Sequence, residues 1–203
     1  MTAEEEAPAY RGIQLDERFI PNVLERLDDW TRRHSRSSAE WAERIARELG
    51  LEDDDIRVLR IAALLHAVDR LGVPRQEYDT CRLTEAEEEM LRRAPVILGR
   101  LIPEEQLGRV IDVVVASREH FDGSGRRGLK GDSIPLLARI VAVASAFQAL
   151  TMRRPGASPL ARGVACARLA ESADVLYDAR VVEALTEAVR RFEREHGGGR
   201  CDL

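Results

Sequence analysis

The stretch E-H-F-D-G-S-G-R-R-G-L-K-G-D-S-I-P-L-L-A-R-I-V-A-V-A-S-A-F-Q-A-L-T-M-R-R-P, Glu119 to Pro155, decides the reading of this chain. Its first half is a loop with glycines at 123, 125, 128 and 131. Glycine tolerates positive φ and lets other groups approach its backbone closely. Arg126, Arg127 and Lys130 make the loop basic. Its second half, Ile134 to Leu150, is apolar on nearly every face, which predicts a helix at the centre of an all-helical core. Pro135 suits a first helical turn, with Asp132 or Ser133 as its cap. Ile140, Val143, Ala144, Phe147 and Leu150 fall at helical spacing and are the expected core of that helix.

The rest of the chain agrees with an all-α fold. Its 203 residues suit one domain, with residues 1–12 and 197–203 expected as flexible tails around a body at 13–196. Charged residues make up 33% and aromatics 4%, in a composition led by Ala, Leu, Glu and Arg. Periodicity predicts about seven to eight helices. The first covers Leu15–Arg33, and a second is capped by Ser37 or Ser38 and stops near Gly50. A third opens on Asp53, Asp54 and Asp55, where acids meet the positive end of the helix dipole, and runs on to Gly72 or Pro74. A fourth starts in T-E-A-E at 84–87, and the next starts near Pro103. After the central helix come a short one at Pro159–Ser172 and a last one at Tyr177–Glu195. No alternating strand pattern occurs.

A net charge of −5 argues against a general nucleic-acid binder. No apolar run reaches membrane-spanning length without charges. The acidic start M-T-A-E-E-E lacks the pattern of a signal peptide. Cys81, Cys166 and Cys201 form no metal-spaced pair, and their odd number suits reduced thiols in a cytoplasm.

The central stretch resembles the C-terminal half of an HD-GYP domain, a helical metal phosphodiesterase module that hydrolyses cyclic di-GMP. D-G-S-G at 122–125, G-L-K-G at 128–131, I-P at 134–135, A-R-I at 138–140, A-L-T at 149–151 and R-P at 154–155 carry the resemblance. L-R-I-A-A-L-L-H-A-V-D-R-L-G-V-P at 59–74 extends it, as do L-T-E-A-E-E-E-M at 83–90 and A-D-V-L-Y-D-A-R-V-V-E-A-L at 173–185. The Gly-Tyr-Pro of the family name is missing: Arg126 and Arg127 follow Gly125.

The resemblance implies a cluster of metal ions held by imidazoles and carboxylates, which activates a water and neutralises the phosphate. Position by position, the family's ligands are thinned. His34 and His66 remain, but the doublet's aspartate is Ala67. The acid one turn before His34 is Trp30, and the lysine after the doublet is Arg70. Ala94 stands for a histidine before Pro95, and Ser117 and Arg118 stand for an adjacent histidine pair. Ser145 and Gln148 replace acids of the central helix. An ordinary zinc site needs three or four protein ligands. The expectation is therefore a dismantled site, with no metal and no cofactor.

Three functions follow from the resemblance. One is a non-catalytic, cytoplasmic signalling or scaffold protein. Its partners would be a signalling protein such as a cyclase or receiver domain, or a second copy of the chain. Another is a phosphohydrolase with an atypical site built on His34 and His66. A third is a metal-free nucleotide sensor. There Arg70, Arg118 and the loop arginines Arg126 and Arg127 would bind phosphate, with backbone N–H groups of the glycine loop, in a pocket that also holds His66, Ser117, Ser145 and Lys130. The bland alternatives are a helix-boundary His34, a hydrogen-bonded core His66, a solvated basic loop, and arginines paired with Asp69, Glu119 or Asp122.

Overall fold

The computed structural model describes residues 24–25, 27–67, 104–153 and 158–196. Six α-helices lie among these residues: α1 Asp29–Glu48, α2 Asp53–Leu65, α3 Glu104–Ala116, α4 Leu136–Thr151, α5 Arg162–Ala170 and α6 Ala179–His196. No strand occurs among them, only one isolated bridge between Ala173 and Tyr177. The helix expected from 84 onward, both tails, and Asp69, Arg70 and Ala94 lie outside the described residues.

Helix α1 corrects the expected pair of N-terminal helices. No break occurs between Arg33 and Ser38, and Asp28 rather than Ser37 or Ser38 is the cap. The Asp28 carboxylate accepts from the N–H groups of Trp30 and Thr31, each at 3.0 Å. Ser35 and Ser38 are buried inside the helix instead. No Gly or Pro interrupts 29–48, so nothing in the backbone stops propagation.

The α1–α2 turn sets the geometry of everything that follows. Gly50 takes φ 71°, which a side chain would resist. Its N–H bonds the carbonyl of Arg47 at 3.1 Å, and the N–H of Leu51 bonds that of Ala46 at 3.0 Å. This paired closure ends α1 and folds α2 back along it. Asp53, Asp54 and Asp55 then open α2 as expected.

Helix α4 is the central element. Ala138, Ile140, Val143, Ala144 and Phe147 are buried along it, while Leu150 is only partly so. Its start differs from expectation: Pro135 is itself the cap, preceded by a 3₁₀ turn at Gly131–Ser133, and neither Asp132 nor Ser133 makes a side-chain cap bond. Pro135 has no N–H to leave unsatisfied at this position. Helix α1 packs along both α2 and α4, and α6 closes the core behind them. Trp41 of α1 meets Phe147 edge-on, with ring centroids 4.9 Å apart. No helix among the described residues is long and apolar enough to cross a membrane.

Candidate functional site

Three helices bring the two retained histidines together. His34 comes from α1, His66 caps α2, and Ser145 projects from α4 between them. The Ser145 hydroxyl lies 3.1 Å from Nε2 of His34 and 3.1 Å from Nε2 of His66. The imidazole centroids are 5.4 Å apart.

The direction of each proton follows from one fixed acceptor. Nδ1 of His66 is 2.6 Å from the carbonyl oxygen of Ala63. A carbonyl only accepts, so Nδ1 carries the hydrogen. In the neutral ring, Nε2 of His66 then accepts from the Ser145 hydroxyl. That hydroxyl oxygen in turn accepts from Nε2–H of His34. With both rings neutral, the hydrogen bonds run one way, from His34 through Ser145 and His66 to the backbone of α2.

His34 is buried at 2% exposure, in the middle of α1 and not at a helix boundary. Trp30, one turn earlier, lies flat on its ring at 4.9 Å between centroids and 8° between planes. An indole thus covers the imidazole where the family pattern has an acid. His66 matches the hydrogen-bonded histidine expected, although it stays partly exposed.

Two imidazoles and one neutral hydroxyl converge, and no group of three His, Cys, Asp or Glu that could hold a metal ion exists among the described residues. Ala67 is buried and offers no donor. Both Nε2 atoms are engaged by Ser145, so an ion would have to displace the hydroxyl from both.

Ser117 donates its hydroxyl back to the carbonyl of Val114 at 2.8 Å, at the end of α3. Arg118 is partly buried beside it, and Lys130 is exposed. His120 bonds Ser124 across the loop at 2.9 Å.

Glu119 takes up two backbone N–H groups of the glycine loop. This buried carboxylate accepts from the N–H of Arg127 at 2.9 and 3.2 Å and from that of Leu129 at 3.2 Å. Gly125 makes the wrap possible: a Cβ there would sit 2.7 Å from the His120 nitrogen and 2.9 Å from Oε2 of Glu119. Asp122 supports the same loop by accepting from the N–H of Ser124 at 2.8 Å. Hydrogen bonding to Ser124 holds its carboxyl below the ordinary value.

A second polar cluster, not anticipated from the sequence, lies at the start of α4. Arg139 is 9% exposed and Asp178 2%. Their side chains meet at 2.6 Å, and Arg139 also reaches Asp132 at 2.7 Å. Arg180 closes the square with contacts to Asp132 at 2.8 Å and Asp178 at 3.1 Å. Asp178 also accepts from the N–H of Arg180 at 2.9 Å, serving the first turn of α6. Burial opposes its ionisation, but hydrogen bonds from Arg180 and Arg139 outweigh this and hold its carboxyl below the ordinary value. The signal was present in the sequence: an arginine inside the run 136–150 needs a buried carboxylate.

The comparisons with known proteins agree with this architecture. A model of the HD domain family matches residues 17–181. A cyclic di-GMP phosphodiesterase of Thermotoga maritima is 33% identical over 98% of this chain and 58% of its own length. The cyclic di-GMP phosphodiesterase response regulator RpfG of Xanthomonas campestris is 36% identical over 74% of this chain and 41% of its own. The chain thus spans about two fifths to three fifths of these curated relatives. Among solved structures, a cyclic GMP-AMP specific phosphodiesterase of Vibrio cholerae superposes with a TM-score of 0.64 at 18% identity, covering 90% of this chain and 50% of that one. The chain belongs to the HD domain family, in its HD-GYP branch.

Proposed function

We propose that the chain serves cyclic dinucleotide signalling by binding and not by hydrolysis. One observation carries this reading: the Ser145 hydroxyl stands at 3.1 Å from both surviving imidazoles. Hydrolysis of a phosphodiester at neutral pH by the family's route needs a metal-activated water. Neither the string His34–Ser145–His66 nor Ala67 beside it supplies the anionic ligands to hold such an ion. Binding partners for this role are a signalling protein or a nucleotide.

A second reading is favoured by the relatives, whose names are those of cyclic di-GMP and cyclic GMP-AMP phosphodiesterases. In it the chain is a metal-dependent phosphohydrolase with an atypical site. Its further ligands would come from residues 68–100, which contain Asp69 and several glutamates.

Elemental analysis of untagged protein, purified without chelator, separates the two readings when paired with turnover of cyclic di-GMP and cyclic GMP-AMP. The binding reading expects no stoichiometric iron, manganese or zinc and no hydrolysis above buffer. Tightly held metal, with activity that disappears in the His34→Ala, His66→Ala double variant, establishes the phosphohydrolase instead.

A further inference from the structure

The two helices that carry His34 and His66 also have a reverse side. At 100° per residue, Arg36, Glu43 and Arg47 lie roughly 180–220° round α1 from His34. Arg57, Ile61 and Leu64 lie roughly 160–220° round α2 from His66. These reverse faces do not close on each other. They leave a cleft of about 400 Å³.

The lining has the composition of a binding site for anions with an apolar body. Arg36, Arg47, Arg57 and Arg60 surround it, and its floor is formed by Ile56, Ile61 and Leu64. Glu43 and Asp53 are the acids of the lining, so four guanidinium groups face two carboxylates. Glu43 alone engages two of them, Arg47 at 2.8 Å and Arg60 at 3.4 Å. Arg57 has only a long contact to Asp54 at 3.6 Å, and Asp54 is also engaged by Arg109 at 2.9 Å. No carboxylate among the described residues pairs with Arg36. Every cation of the lining is an arginine, whose planar fork matches phosphate oxygens in pairs. The volume falls in the range of small-molecule sites, with room for a mononucleotide rather than a folded partner.

We propose that this cleft is a second site, for a phosphate-bearing small molecule of nucleotide size, separate from the His34–Ser145–His66 face. Arg36 and Arg57, one on each helix, grip the phosphates, and the aliphatic floor takes the body of the ligand. Glu43 holds Arg47 and Arg60 in place from between the helices. A ligand bridging both helices fixes their spacing from behind, and with it the separation of the two imidazoles in front.

Calorimetric titration and thermal shift of the full chain with pyrophosphate, ADP and adenosine test this. Pyrophosphate and ADP are expected to bind and raise Tm, and adenosine to do neither. Arg36→Ala with Arg57→Ala is expected to weaken binding about tenfold or more, since each removes a charge-assisted contact. Both side chains are exposed, so the unliganded variant should melt with the wild type. Raising the ionic strength from about 0.05 to about 0.5 M should weaken binding as the charges are screened. Absence of binding overturns the proposal, as does adenosine binding equal to ADP or unchanged affinity in the double variant. Loss of binding in Ser145→Ala with retention in the arginine variant places the ligand on the front face and also overturns it.

Discussion

Helix α4 carries two polar clusters less than two turns apart, and they solve the problem of burial in opposite ways. At its start Arg139 is buried as an ion, held by Asp132 and Asp178. In its middle Ser145 is neutral and joins two imidazoles. The first cluster keeps its charges and compensates them within the chain. The second joins its members through a neutral hydroxyl, with no carboxylate among the described residues bonded to Ser145. A buried charge is tolerated only with its partner present, so the two clusters should respond very differently to the loss of one member.

The largest effect is expected at the ionic end. Arg139→Ala leaves Asp178 buried beside only Arg180 and should cost about 3–5 kcal/mol in chemical denaturation. A loss below about 1 kcal/mol, the size of an ordinary surface change, would mean that Arg180 alone compensates the carboxylate. Phe147→Ala provides the apolar yardstick between the clusters. Phe147 is fully buried against Trp41, and its loss should also cost about 3–5 kcal/mol if the space cannot collapse.

Ser145→Ala should cost less, about 1–3 kcal/mol, because it removes hydrogen bonds between neutral groups rather than the partner of a buried ion. A cost matching that of Arg139→Ala would show that the imidazoles are charged and that the contrast between the clusters is false.

The smallest effect is an acid limb that belongs to one cluster alone. The folded-state pKa of Asp178 is depressed, so its contribution is fully present above the unfolded value of about 4. It is lost as pH falls through the folded value. Stability curves of wild type and Asp178→Asn should therefore converge below pH about 4. Parallel curves down to the lowest accessible pH would remove Asp178 from the account.

The helical core was legible because its signals are local. The apolar run at 136–150 and the aspartates at 53–55 lie within single elements. The continuity of α1 was missed because the serines at 37 and 38 look like caps, whereas the preceding Asp28 makes the actual bonds. The pairs Arg139–Asp178 and His34–Ser145 join residues 39 and 111 positions apart, and no local pattern reports such partners. Glu119 was considered only as a counter-charge for arginines, although the glycines around it already indicated backbone wrapped close to something.

That wrap has a consequence for how this fold changes. Around Glu119 the loop encloses an anion that the chain brings with it, covalently attached and present at every moment. A visiting anion would meet a resident of like sign already using the N–H groups of Arg127 and Leu129. Ancestry or engineering that sought a phosphate cradle here would have to begin by evicting that tenant. Further glycines would only loosen the walls around it.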